Sequence, residues 1–340
     1  MTTEKRAALP EERGVLSAAV VRRLRDDARL PSDDLAWSAD PYGDDLQLAL
    51  YLCYELHYRG FEGVDDAHEW DPALLAFRSR MEGRFLDALR EELPASRSPH
   101  DVLADLFDPP GGSREGASGL AEHLAGAGTG RQVREYVVQR SLYHLKEADP
   151  HAWALPRLRG RAKAGLAAVE FAEYGSGRAE RVHARLFARL MEDLGLDPSY
   201  GRYLDAACAP ALACVNLITL LGLHRSLRGA LVGHVAAVEL TSPPDSRRLA
   251  EAMRRVGAGG AAARFYDEHL KDDAVREQVV RQSLVGGLLE QEPQLAADVV
   301  LGVEANALLE RRLAAHLLTA WRAGASSLRR PEPGLLRAAG

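Results

Sequence analysis

The stretch 141–187 decides how the rest of this chain is interpreted. It contains three segments that combine apolar with charged residues: SLYHLKEADPH at 141–151, VEFAEYGSG at 169–177 and ERVHARLF at 180–187. Four potential ligands stand inside or beside these apolar segments, namely Glu147, Glu173, Glu180 and His183. Burying a carboxylate without a partner costs several kcal/mol, and a metal ion is one of the few partners that removes this cost. The stretch therefore predicts a metal site.

Outward from this stretch, apolar residues recur at helical spacing, and no run alternates polar with β-branched residues. The pattern predicts an all-α fold without a sheet. We predict helices at 16–30, 44–58, 74–93, 100–107, 131–149, 158–173, 178–194, 211–226, 228–240, 246–256, 261–270, 273–289 and 294–321. One continuous helix through 261–289 fits the pattern equally well.

Shifts in composition predict the domain organisation. The run DPPGGS at 108–113 and its glycine-rich continuation are typical of a mobile linker. We predict a flexible tail at 1–15, an N-terminal helical extension at 16–108, a Gly/Pro-rich linker at 109–130, a metal-binding bundle at 131–322 and an exposed C-terminal tail at 323–340.

Composition and charge exclude several classes of function. The 340 residues carry 43 basic and 49 acidic side chains, a net charge of -6 that gives no basic footprint for nucleic acid. Three cysteines without a CxxC pair support neither a disulfide framework nor a thiolate zinc site. The longest apolar run, 209–223, is too short to span a bilayer, and the N-terminus lacks the apolar core of a signal peptide. We expect a cytoplasmic protein with no membrane contact and a small-molecule substrate.

Four motifs together resemble the haem-oxygenase-like diiron oxidases and oxygenases, often called iron-containing redox enzymes. They are LKEADPH at 145–151, EYGSG at 173–177, ERVH at 180–183 and YDEHLKDD at 266–273. The resemblance covers roughly residues 130–320, and CYELHYRGF at 53–61 resembles the N-terminal part of family members. Its spacings are specific, with 26 residues from Glu147 to Glu173, 7 more to Glu180 and 3 more to His183.

The resemblance implies a haem-oxygenase-like bundle of about seven core helices that carries two irons per chain. The ligands it implies are Glu147, Glu173, Glu180, His183, His269 and Asp273. Carboxylates and imidazoles suit Fe(II), and open coordination positions allow O₂ to bind as co-substrate. Glu180 and His183 also have the i, i+3 spacing that places two donors on one helix face.

One position departs from the family pattern His-x3-Asp-x2-His, because Arg276 stands where the last histidine is expected. Arginine stays protonated and offers no lone pair, so it cannot be a ligand, and the second iron is in doubt. Either Glu277 or water fills the gap, or one metal binds tightly and the other weakly, or oxygenase chemistry is lost. We favour the second outcome. Arg276 is also able to pair with Asp273 or with a substrate carboxylate.

Several neighbouring residues are weaker candidates for the metal site. His144 and His151 flank Glu147 and are candidates for supporting contacts. Glu170 is the alternative to Glu173 as the inward carboxylate of its helix. Glu239 is expected at a helix end, in water, and is not counted as a ligand.

The resemblance implies an O₂-dependent non-haem diiron oxygenase that N-oxygenates a small amine or amino-acid-like metabolite in a biosynthetic pathway. One alternative is a diiron oxidase that cleaves or desaturates a C–C bond of an amino acid or a fatty acid. Another, which Arg276 keeps open, is a binding protein deficient in metal. Because the chain has no flavin or iron–sulfur motif, we expect an external electron donor, and the family implies a homodimer.

Overall fold

The protein is built from helices joined by short turns. The structure is a computed structural model that describes residues 6–31, 34–93, 98–108, 119–269 and 273–330, without the side chains of Asp34, His269, Asp273 and Ala274. Within these residues there is no strand, and one isolated bridge joins Ala7 to Phe61. The predicted all-α fold is confirmed.

The described residues of the N-terminal half form eight α-helices. They are α1 (Val15–Asp26), α2 (Asp34–Ser38), α3 (Asp44–Glu55), α4 (Pro72–Glu92), α5 (Pro99–Phe107), α6 (Leu120–Gly126), α7 (Gly130–His144) and α8 (Asp149–Ala152).

The C-terminal half continues with helices that are on average longer. They are α9 (Gly160–Glu173), α10 (His183–Asp193), α11 (Ala209–Leu223), α12 (Arg228–Arg255), α13 (Gly260–His269), α14 (Asp273–Gln278), a π-helical segment (Val279–Val285), α15 (Gly286–Gln291) and α16 (Ala296–Arg322).

Helix α11 lies at the centre of the fold. Its residues are apolar all round and nearly all buried, against α3, α7, α8, α12 and α16. A helix without a polar face is stable only when other elements cover it on every side. Helices α12 and α16 pack closely beside it: a Cβ at Gly302 would overlap the carbonyl oxygen of Ala230, so this contact requires glycine.

Helix α12 is one continuous element, and the prediction of two helices at 228–240 and 246–256 is wrong. The chain stays helical through Pro243 and Pro244. Proline removes a helical hydrogen bond and ordinarily bends or ends a helix. Here residues on both sides of the prolines, such as Leu240 and Leu249, are buried in the same core, and tertiary packing outweighs local propensity.

The predicted linker and tails are more ordered than expected where they are described. Residues 109–118, 1–5 and 331–340 lie outside the described residues. Helix α6 falls within the predicted linker and buries Leu120 and Leu124 against α12. Ser327, in the predicted exposed tail, is buried and its carbonyl accepts a hydrogen bond from Gln139. One hydrophobic cluster includes side chains of both the predicted extension and the predicted bundle.

In the part of the chain that the structure describes, no single helix combines the length and apolarity needed to cross a membrane. The bent pair formed by α11 and residues 225–255 passes on length and composition only when both helices are taken together.

Candidate metal centre

Glu147 lies in the turn that follows α7. A capping box starts this helix, in which the side chains of Thr129 and Gln132 each accept the other's backbone N–H. The helix ends at His144, and the turn at 145–148 points the Glu147 carboxylate into the protein, where it is buried. His144 Nδ1 lies 3.1 Å from Glu147 Oε2. The turn thus presents a carboxylate with an imidazole beside it.

A buried ion pair fixes this turn. Lys146 donates to Glu55 Oε2 of α3 at 2.9 Å, and each side chain is only 1% exposed. The Tyr200 hydroxyl donates to the same oxygen at 2.9 Å. The backbone that carries Glu147 is therefore anchored to a helix of the N-terminal extension.

Glu173 and His183 meet across a tight turn. Glu173 is the last residue of α9, and Gly175 and Ser176 follow with φ of 75° and 54°. A Cβ at Gly175 would come within 2.7 Å of the backbone of Arg181 and Val182, so only glycine lets the chain return this closely. His183 then begins α10, with its Nδ1 2.6 Å from Glu173 Oε2.

The three side chains converge on one buried point. One ligand atom from each of Glu147, Glu173 and His183 lies within 4.8 Å of the other two. Burial disfavours the charged form of His183, but the charge of Glu173 and its hydrogen bond outweigh this, so the pKa of His183 is raised. Two carboxylate oxygens and one imidazole nitrogen at this separation fit a divalent iron, which would draw them together.

Glu180 does not join this cluster. It lies exposed in a separate 3₁₀ turn, Ala179–Arg181, because α10 begins only at His183. The predicted i, i+3 relation on one helix face therefore does not exist here. The side chains of His269 and Asp273 lie outside the described residues, so their predicted roles stay predictions.

Arg276 pairs with Glu239, a carboxylate that the sequence analysis did not count as a ligand. Its Nη1 lies 3.3 Å from Glu239 Oε2, and the two side chains are 16% and 9% exposed. The expectation that Glu239 is wet at a helix end is wrong, because α12 continues past the prolines and Glu239 lies in its interior. Burial and Glu173 raise the pKa of Glu239 to about 7, which Arg276 opposes. Glu277, the other candidate near Arg276, is half-buried.

A second polar cluster lies next to the first. Glu170, one turn before Glu173, is also buried. Both carboxylates therefore face the interior, whereas the sequence analysis expected only one of them to do so. His151 Nδ1 lies 3.7 Å from Glu170 Oε1, and the His151 and His234 rings are 5.6 Å apart. Burial, then Glu173, raises the pKa of Glu170 to about 9, and burial lowers that of His151 to about 4. Both groups are thus favoured in their neutral forms.

A cavity of about 210 Å³ opens beside the first cluster. Its wall includes Glu147, Glu173, Glu239 and Arg276. Tyr143 and Tyr266 also line it, and in the described structure their buried hydroxyl groups have no hydrogen-bond partner. Further charged side chains in the wall are Arg140, Asp245 and Glu310. The wall thus combines apolar side chains with several charged and hydroxyl groups.

Comparisons with known proteins agree with this chemistry. A family model described as iron-containing redox enzyme matches residues 134–311, a range that includes every member of the first cluster. The chain is also 26% identical over 205 residues to the nitrosourea synthase of Streptomyces achromogenes subsp. streptozoticus. The similarity covers 60% of this chain and 43% of that relative, so the chain spans less than half of the relative's length.

Proposed function

We propose that the chain, which belongs to the family of iron-containing redox enzymes, is an O₂-dependent non-haem iron oxygenase of small amine or amino-acid-like metabolites. The observation that carries the proposal is the buried convergence of Glu147, Glu173 and His183 beside a cavity whose wall includes the two carboxylates. These three residues would hold the iron. Iron held there would supply the reduction of O₂ that oxygenation requires.

The cavity wall is mostly apolar but includes polar groups that a small polar substrate would satisfy. Asp245 and Glu310 lie in its wall and pair with Arg248 and Arg140, so the wall offers charged pairs to a polar molecule rather than a net negative charge. Burial keeps the pKa of the Tyr143 and Tyr266 hydroxyl groups well above the usual range, so both stay neutral and able to donate. An alkyl chain would leave these polar groups unsatisfied.

Aromatic side chains pack around the imidazole beside Glu147. His144 lies among the rings of Tyr143, Phe187 and Phe265, at centroid distances of 4.9, 4.7 and 5.2 Å. This aromatic packing restricts the His144 ring. Preorganised groups of this kind strengthen electrostatic contacts with a bound molecule.

The name of the relative supports nitrogen chemistry. Nitrosourea formation makes a bond at nitrogen, so we propose N-oxygenation of an amine nitrogen within a biosynthetic pathway. Electrons would come from an external donor, since the sequence has no flavin or iron–sulfur motif.

The test is to load the purified protein with Fe(II) under anaerobic conditions and then to measure O₂ consumption with a panel of amines and amino acids, in the presence of a chemical reductant that supplies the two electrons per turnover. Products that gain one oxygen atom from ¹⁸O₂ are expected by mass spectrometry. Glu173→Gln is expected to abolish iron binding and turnover. Glu192→Gln, an exposed carboxylate on α10, is the matched control and is expected to retain both. Wild-type protein that binds no iron would refute the proposal.

A further inference from the structure

The ion pair between Arg276 and Glu239 lies at the candidate metal centre itself. Both side chains line the cavity wall together with Glu147 and Glu173. They come from different elements, α14 and α12, and meet with 3.3 Å between Nη1 and Oε2. Arg276 also acts on His183, whose protonation it disfavours. A fixed positive charge is therefore present on the same cavity wall as the carboxylates that would hold iron.

Arginine is unusual as a neighbour of a metal ion. Its guanidinium remains protonated at any relevant pH and has only donor groups, so it repels a cation and cannot coordinate one. Two positive charges at a separation of a few ångströms in a buried site repel each other strongly, unless carboxylates lie between them. The number of nearby carboxylates thus limits how many cations the site can hold.

The guanidinium offsets part of the negative charge at the centre. Glu147, Glu173 and Glu239 bring three carboxylates to the cavity wall, and Arg276 brings one positive charge. Because Arg276 pairs with Glu239 and repels cations, it weakens the attraction of this wall for a second divalent ion. Burying a further positive charge without compensation would be costly.

We propose that Arg276 takes the place of a second metal ion, so that the centre holds one iron and a guanidinium that Glu239 anchors beside it. The inference rests on the proposed function, because it requires that Glu147, Glu173 and His183 bind iron. Glu239 then pairs with Arg276 and is not a ligand of the metal. The guanidinium lies against the Glu239 carboxylate and prevents it from bridging two ions.

The inference predicts what removal of the guanidinium does. In Arg276→His the positive charge is lost, a nitrogen donor is gained and Glu239 is released. A second divalent ion would then meet a carboxylate and an imidazole in place of a cation. In Arg276→Lys the charge remains, so the site still excludes the second ion.

The experiment is metal stoichiometry after anaerobic loading with Fe(II) and gel filtration, read by elemental analysis, with the EPR spectrum of the nitric oxide adduct as a second readout. One iron per chain with the signal of an isolated iron nitrosyl is expected for wild type and for Arg276→Lys. Two irons per chain and loss of much of that isolated signal are expected for Arg276→His. Arg276→Gln, which also removes the charge, is a second test if Arg276→His does not fold.

The outcomes separate the inference from the proposed function. Two irons in the wild type, or one iron in both charge-removing variants, would overturn the role of Arg276 while leaving an iron enzyme. No iron in the wild type would refute the proposed function itself.

Discussion

The buried pair of Lys146 and Glu55 gives the sharpest test of how the metal centre is supported. Glu55→Gln keeps the shape of the side chain but removes its charge. Lys146 then stays buried without an anionic partner, although it retains its contacts with the rings of Tyr51 and Tyr58, 4.7 and 4.5 Å from their centroids.

The expected loss of stability is large for one substitution. Removing one partner of a buried ion pair costs about 3–5 kcal/mol, because the other charge remains buried and uncompensated. The aromatic contacts place the expected loss near the lower limit, about 3 kcal/mol in the free energy of unfolding. Since Lys146 precedes Glu147, we also expect weaker iron binding in Glu55→Gln.

Chemical denaturation of wild type and variants, followed by circular dichroism, measures this loss. In the double variant Glu55→Gln/Lys146→Met no buried charge is left, so we expect a cost below about 2 kcal/mol. Glu290→Gln is the control, because Glu290 and its partner Arg161 are 63% and 54% exposed and such pairs contribute about 1 kcal/mol or less. The reasoning fails if Glu55→Gln costs no more than Glu290→Gln.

Three further predictions follow from the site and the core. Glu180→Gln is expected to retain the iron content of the wild type, because Glu180 is exposed; loss of iron on elemental analysis would show that Glu180 is a ligand after all. Glu173 raises the pKa of His183 above its ordinary value of 6.5. When the pH falls below this raised pKa, protonation of His183 is expected to compete with iron binding. Below it, the apparent iron affinity should drop about tenfold per pH unit, and a flat titration between pH 5 and 8 would contradict this. Gly302→Ala is expected to destabilise the protein by about 1–3 kcal/mol, whereas Gly126→Ala, which has open space around it, should change the free energy of unfolding little.

Helix α12 shows why part of the site escaped prediction. Pro243 and Pro244 predict a break in the helix. A helix that ended before them would place Glu239 at a solvent-exposed end. The core on both sides of the prolines holds the helix together, so Glu239 is buried beside Arg276. No local pattern reveals this, because the stabilising contacts come from distant segments of the chain.

Glu180 illustrates the opposite error. The i, i+3 spacing to His183 is real in the sequence, but it has structural meaning only if both residues are helical. The turn at Gly175–Gly177 and the following 3₁₀ turn delay the start of α10 to His183. A spacing argument depends on helix boundaries, and these are the least certain part of any prediction from local pattern.

The sequence by itself determined the all-α class, which depends on apolar periodicity, and its motifs indicated the family of iron-containing redox enzymes. It also excluded Arg276 as a ligand, which follows from the chemistry of the guanidinium alone. Only the tertiary structure decided which charges meet: Glu239 with Arg276, Lys146 with Glu55, and His183 with Glu173 across a glycine turn. The physical reason is that such pairs join residues from separate elements, and their energies depend on distance and burial, which arise only when the helices pack.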